Sequence, residues 1–269
     1  MNFGLVIIGD EILSGKREDK HFAKSVELLS ARGLQLAYAD YVGDAPDRIT
    51  ATLARAFASG DTVFSFGGIG ATPDDHTRQC AARALGCEMA LHPEAEALII
   101  ERMQDVARET GTPYEPQRSD NVHRLNMGVF PVGASIIPNP YNKIAGFSAT
   151  GSGGGRVHFV PGFPIMAWPM VEWVLDTHYA HLFVRDEWKE QSIIVFGAME
   201  STLTPLMETL ERLYAVKVFS LPSVDHPQYG RHIELGVKGS PDVVAQAFDA
   251  LLGGLRALDV PLGPELVRS

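Results

Sequence analysis

Cysteine is scarce. Cys80 and Cys87 are the two in 269 residues, and their spacing fits neither a zinc site nor a redox pair, so a reducing, cytoplasmic setting is expected. At this length folding removes roughly three-quarters of the extended-chain surface from water, enough to hold a fold without a disulfide or a structural metal. Positive charge is short as well. Lys and Arg number 23 against 33 Asp and Glu, for a net charge of -10, and no basic cluster stands out. A nucleic-acid surface is thereby excluded, because counterion release needs grouped cations. Long apolar runs are missing too: the stretch 159–175 carries Pro161, Pro164, Pro169 and Glu172 and is too short to span a bilayer, so no membrane partner is expected. The opening MNFGLVIIGDE lacks the basic start of a signal peptide and meets Asp10 and Glu11 at once, and it reads as a buried strand. No Gly-x-Ser-x-Gly elbow occurs, which argues against a serine hydrolase.

What is present alternates. Residues 3–8 are apolar, 19–32 helical with Gly33 at the end, 34–41 extended, 46–59 helical and 62–66 apolar. This βαβαβ order predicts an α/β fold, a mostly parallel sheet covered on both faces, with ligands gathering at the carboxyl ends of the strands. Residues 93–110 read as a long helix, and the Pro- and Asn-rich passage up to Gly155 as an insertion beside the site. Gly151-Ser152-Gly153-Gly154-Gly155 reads as a mobile hairpin tip rather than a phosphate loop, since it leads into a strand. From Trp188 the pattern restarts as βαββα, a small α+β lobe. The expected division is 1–185, 186–258 and a tail of 259–269, with the boundary near 183–187 and Trp168, Trp173 and Trp188 as buried contacts between lobes.

Chemistry concentrates at three strand ends, Gly9-Asp10-Glu11, Gly67-Gly68-Ile69-Gly70 and Pro161-Gly162, which should converge on one edge. The second leads through Ala71, Thr72, Pro73, Asp74 and Asp75 towards a helix; it is neither a Walker loop nor Gly-x-Gly-x-x-Gly. Gly67, Gly68 and Gly70 let main-chain N–H groups approach an oxyanion closely. Thr72 has two readings, a ligand contact or the cap of a helix starting at Pro73. Pro161 and Gly162 stand evenly between offering amide donors and forming a rigid turn. Asp10 and Glu11 are expected near Asp74 and Asp75, and such carboxylates repel a diphosphate: at ~6 Å and an effective dielectric of ~20 each pair of unit charges costs about 2.8 kcal/mol. A divalent cation such as magnesium removes the conflict, with Asp10, Glu11 and Asp74 or Asp75 as ligands. Asp44 faces the same edge or caps the next helix. His76 stays open as a proton donor, while His178, His181 and Cys80 read as structural.

The ordered set Ile8-Gly9-Asp10-Glu11-Ile12-Leu13-Ser14-Gly15, Val42-Gly43-Asp44, Gly67-Gly68-Ile69-Gly70 with Asp74-Asp75-His76-Thr77, Asn139-Pro140, Gly146-Phe147 and Pro161-Gly162-Phe163-Pro164 resembles the molybdopterin-binding domain superfamily. Within it the chain is similar to the competence/damage-inducible protein A branch and to the amino-terminal domain of eukaryotic FAD synthases. The resemblance covers nearly the whole chain and implies a three-layer αβα domain that self-associates as a homo-oligomer. It also implies a molybdopterin or nucleotide ligand and, in some members, metal-dependent hydrolysis of ADP-ribose or FAD. By the same resemblance Asp75 and Asp44 are catalytic, with Asp74 beside them. Three places depart from the family pattern: Ala71 stands where proline is common, Asn142-Lys143-Ile144-Ala145 replaces a stretch that usually contains Gly-Thr-Ala-Pro, and Asp19-Lys20-His21 ends where many members have asparagine. No counterpart of the amidase domain of longer members is expected. Three functions compete: a pyrophosphatase for ADP-ribose, FAD or a similar dinucleotide; molybdopterin binding or adenylyl transfer in cofactor assembly; and ligand binding without turnover.

Overall fold

A strand whose side chains are all buried must be covered on both faces, and β1 (Phe3–Ile8) is such a strand. The computed structural model describes residues 1–184 and 189–268, which form two units, Met1–Phe183 and Val184–Ser269. Within the first, a six-stranded sheet runs β2 (Leu36–Val42), β1, β3 (Thr62–Phe66), β8 (Arg156–Val160), β7 (Gly146–Thr150), β6 (Ser135–Ile137). The first four strands are parallel; β7 and β6 add antiparallel. Strand β4 (Met89–Leu91) pairs separately with β5 (Val129–Pro131).

Alternation of side chains along the strands divides the core into two layers. Val6, Ile8, Val63, Val157 and Phe159 meet α3 (Pro46–Ala58) and α4 (Thr77–Leu85) on one face. Leu5, Ile7, Phe64, Phe66 and Val160 meet α2 (His21–Ser30) and α7 (Pro164–His178) on the other. The three-layer αβα arrangement is therefore what the apolar runs predict. A short α1 (Asp10–Leu13) follows β1, and α5 (Pro93–Thr110) and α6 (Ser119–Arg124) stand between β4 and β5. The passage after α5 is more than an insertion, since it contributes β6 and β7 to the main sheet. Gly151–Gly155 does join β7 to β8 as a hairpin, and it is packed rather than loose: a Cβ on Gly151, Gly153 or Gly155 would sit 2.4, 2.3 or 2.1 Å from main-chain oxygens at the end of α3. Trp168 and Trp173 pack against the core layer shared by α2 and α7. Residues 185–187 and Trp188 lie outside the described residues.

The second unit has a sheet in the order β10 (Lys217–His226), β11 (Gly230–Gly239), β9 (Lys189–Val195), β12 (Leu262–Arg268). Helices α8 (Glu200–Leu213) and α9 (Pro241–Ala257) cover its apolar face through Leu203, Leu210, Phe248 and Leu251. The segment expected as a tail is instead the edge strand β12. Arg268 fixes it, its Nη1 reaching Glu190 at 2.8 Å and Glu234 at 2.6 Å.

One polar chain crosses the first unit's core. Across the β7–β8 pair Ser148 Oγ lies 2.7 Å from His158 Nδ1, and His158 Nε2 lies 2.8 Å from the Tyr179 hydroxyl. Burial, and then the charges of Arg156 and His178, push the imidazole well below its ordinary value of 6.5. An imidazole neutral when folded but ordinary when unfolded contributes stability that is complete above pH 6.5 and is lost as pH falls below it. The expected slope from this group is up to about 1.4 kcal/mol per pH unit. Thermal unfolding followed from pH 7 to 5 should show it, and His158→Gln should have a shallower slope over that window; equal slopes would remove His158 as the cause.

Candidate functional site

Because β1, β2, β3 and β8 run parallel and in register, their carboxyl ends share a rim. Ile7 pairs with Phe66, Phe66 with Val160, and Ile8 with Val42. A cavity of about 530 Å³ opens there. Gly9, Glu11, Asp44, Gly67, Gly68, Gly70, Thr72, Asp74, Asp75, Pro161 and Gly162 all line it. Asp10 does not; it faces an adjoining open hollow shared with Glu11, Asp44 and Asp74.

The loop after β3 owes its shape to two anchors. Thr77, fully buried at the start of α4, donates its hydroxyl to the Gly67 carbonyl at 3.1 Å, and its N–H donates to the Gly68 carbonyl at 3.0 Å. Arg78 is also buried; it donates to the Gly70 carbonyl at 2.7 Å and to the carbonyl of Asn126. Gly67 and Gly68 turn with φ of 96° and 67°, and a Cβ at Gly68 would fall 2.1 Å from the Thr77 hydroxyl. Four consecutive amides result, those of Gly68, Ile69, Gly70 and Ala71, which donate to no protein acceptor among the described residues and all of which border the cavity. Such a run of free N–H groups is an anion-binding concavity.

Several glycines expected to offer amides do other work. The Gly67 N–H is committed to Val160 at 3.1 Å and the Gly9 N–H to Val42 at 3.0 Å, so these two close the strand ends. Thr72 neither caps α4 nor offers a free donor: its N–H and hydroxyl both donate to Asp75 Oδ2, at 2.8 and 2.6 Å. This side-chain turn competes with helix formation, and α4 starts at Thr77 with His76, not Thr72, in the cap position. Asp44 does not cap α3 either, where Ala45 is the cap residue. It exchanges hydrogen bonds with Asp10, accepting from the Asp10 N–H at 2.9 Å and donating its own N–H to Asp10 Oδ1 at 3.1 Å. Burial first, then the charges of Asp10, Glu11 and Asp74, raise the Asp44 carboxyl above its usual range, against the pull of the Asp10 amide.

The rest of the lining comes from segments that carried no site expectation: Arg17 and His21 on one side, Met127, Asn139, Asn142 and Ile144 on another, and Phe163 with Met166 at the start of α7. Arg17 lies 3.7 Å from Glu11. Asn139 and Asn142 organise a tight turn, in which Asn142 Oδ1 accepts from Asn139 at 2.8 Å and from the Ile144 N–H at 3.0 Å. Lys143, left-handed at φ 63°, bolts this wall to α5 through Glu101 and Asp105, each at 2.6 Å. In the sequence Asn139 belongs to the resemblance and Asn142 to a departure from it, and neither gives away its place at the cavity.

Fold and site together define an αβα domain with an anion-receiving loop and acidic groups at the carboxyl edge of its sheet. The model of the probable molybdopterin binding domain matches residues 4–181, and the chain belongs to that family. A CinA-like protein of Citrifermentans bemidjiense is 31% identical over 211 residues, which are 77% of this chain and 47% of that protein. The chain thus spans about half the length of this CinA-like relative. A protein of Caldivirga maquilingensis is 29% identical over 88% of both chains. Among solved structures, the protein CinA of Thermoplasma acidophilum, described as of unknown function, is similar with a TM-score of 0.53 at 26% identity, covering 65% of this chain and 96% of that one. No helix among the described residues is long and apolar enough to cross a membrane.

If Thr77 and Arg78 hold the loop as described, Gly68→Ala should destabilise by more than about 1 kcal/mol, since both φ and space oppose the methyl group. Arg78→Met, which strands buried carbonyls, should cost roughly 2–4 kcal/mol. Denaturant titration checks both, and wild-type midpoints would show the loop to be held by something else.

Proposed function

We propose that the cavity binds a nucleotide or pterin ligand through its phosphate groups and that the protein hydrolyses a pyrophosphate bond in ADP-ribose, FAD or a similar dinucleotide with the help of a divalent cation. One observation carries this reading: free amides at 68–71 and the carboxylates of Glu11, Asp44, Asp74 and Asp75 line the same cavity. Amides draw an anion in; carboxylates repel it unless a cation stands between them.

The donor set suits a hard cation, since every acidic group at this rim offers oxygen and none offers sulfur. Among the described residues no three His, Cys, Asp or Glu side chains close into a cage by themselves, so Glu11, Asp10 and one of Asp74 or Asp75 would hold the ion together with ligand oxygens and water. Bound there, it would neutralise charge on the diphosphate. The amides of Gly68, Ile69, Gly70 and Ala71 receive the phosphate oxygens, and Thr77 and Arg78 keep them in place. Asp75, with Oδ2 tied to Thr72, keeps Oδ1 to take the proton of a water attacking phosphorus; the bond from that phosphorus to the bridging oxygen breaks, and two monophosphates leave. Asp44 holds the carboxyl edges of β1 and β2 together through Asp10 and adds charge at the same rim.

The family match favours a second reading, in which the ligand is molybdopterin and the site binds it or transfers an adenylyl group during cofactor assembly. Self-association into a homo-oligomer belongs with either reading.

Purified protein supplied with magnesium or cobalt should release AMP from ADP-ribose or FAD. Asp75→Asn should lower the rate by about a hundredfold, the scale of a lost acid–base group, and chelation should abolish it. No AMP from any of these substrates with either metal would end the hydrolytic reading. Retention of molybdopterin through purification would then favour the second, and a thermal shift with nucleotide but no product would mark a binder without turnover.

A further inference from the structure

We propose that Arg17 binds the second phosphate of the ligand and so makes the cavity select diphosphates over monophosphates. This rests on the cavity being a site that receives a nucleotide or pterin phosphate on its free amides, and it adds the group that tells one phosphate from two.

The amides of the loop after β3 carry no formal charge, and the carboxylates around them, those of Glu11, Asp44, Asp74 and Asp75, are of the wrong sign for an anion. Among the described residues that line the cavity, Arg17 is the one Lys or Arg. Its neighbour Lys16 lines the adjoining acidic hollow instead. The Arg17 main chain is fixed, its N–H donating to the Glu11 carbonyl at 3.0 Å. Its guanidinium is not. Nη1 lies 3.7 Å from Glu11 Oε1, too far for a hydrogen bond, and with side chains 58% and 46% exposed the pair is one that water screens. None of the guanidinium N–H groups has an acceptor among the described residues, so a planar fork of donors stands open to solvent at the cavity wall.

Position decides which part of a ligand that fork meets. Glu11 stands over the carboxyl end of β1, where a Cβ on Gly9 would lie 3.3 Å from Glu11 Oε2. The amide loop starts at the same strand end, since a Cβ on Gly67 would lie 2.6 Å from the Ile8 carbonyl oxygen. Free amides, Glu11 and Arg17 therefore follow one another along a single rim. A phosphate seated on the amides leaves a second phosphate, joined to it through one oxygen, within reach of a flexible arginine on that rim. A guanidinium meets phosphate with two parallel N–H···O bonds, a geometry that a lysine ammonium does not reproduce. A cation held by Glu11 would repel the guanidinium from its weak partner and release it to the phosphate.

Calorimetric titration of the full chain with AMP and with α,β-methylene-ADP, whose bridging carbon resists hydrolysis, reads this contact at fixed magnesium and ionic strength. Wild type should bind the diphosphate more tightly than AMP. Arg17→Gln should shrink that difference about tenfold while AMP binds as to wild type, the scale of a lost hydrogen bond between charged groups. Its thermal midpoint should stay at the wild-type value, because the side chain is exposed. Arg17→Lys should fall between the two. Lys16→Gln, which removes the same charge one residue away, should keep the wild-type difference. Equal binding of the two nucleotides by wild type, a full difference surviving in Arg17→Gln, or an equal loss in Lys16→Gln would overturn the role of Arg17 while leaving the cavity's function standing. Failure of both nucleotides to bind would overturn the nucleotide reading of the cavity as well.

Discussion

The site depends on the anchoring of the loop after β3 by Thr77 and Arg78. Four main-chain amides in a row cannot face a cavity unless something else fixes their conformation, because each free polar group invites the loop to fold back on itself. Here the carbonyls of Gly67, Gly68 and Gly70 are satisfied from behind by the start of α4. The amides from Gly68 to Ala71 are then left pointing at nothing in the protein. Glycine at the two left-handed positions makes that division possible at little steric cost.

Opposite charge crowding balances this arrangement. Asp10 and Asp44 are locked to each other's backbone, so neither can swing away from the rim to relieve repulsion, and burial together with that repulsion makes Asp44 hold its proton more tightly. Arg17, half-exposed and loosely placed near Glu11, offers only weak compensation. Carboxylates held together by fixed hydrogen bonds at the mouth of a loop of free amides leave room for a positive charge between them and an anion, which is the premise of the hydrolytic reading.

How much of this the sequence discloses follows from the range of each interaction. β1, β3 and β8 are legible because burial on both faces keeps them mostly apolar, and the glycines and acid that follow them mark the rim. α5 is legible from its spacing, and it begins at Pro93 and is capped by Gly111. The start of α4 is not legible because Thr72-Pro73-Asp74 has the composition of a helix cap, while the Asp75 carboxylate, three residues on, ties up the Thr72 hydroxyl and N–H. β12 is not legible because it is an edge strand with Gly263 and Pro264 at a bulge and little apolar alternation, and only pairing with β9 reveals it. Met127, Asn142 and Met166 reach the cavity by packing between distant segments, which leaves no local signal.

Of the departures from the family pattern, His21 and the stretch from Asn142 to Ala145 fall on the cavity wall, while Ala71 lies in the amide loop itself and contributes a main-chain N–H there. Asn142 and Lys143 build a wall that is closed by side-chain amides and clamped to α5, with Lys143 held in a conformation that costs a non-glycine residue about 1 kcal/mol or more. Strain of that size persists only where surrounding contacts enforce it, and two short ion pairs do so here. His21, across the cavity, is held just as firmly by Asp19, Phe66 and Gly162. The loop that would meet phosphate is built from main-chain groups that any member with these glycines can present. The walls that would meet the remainder of the ligand are built from side chains, Asn139, Asn142 and Phe163 among them. A loop that holds an anion by its main chain leaves the choice of the molecule that carries the anion to the side chains around it, so that one fold can serve different ligands.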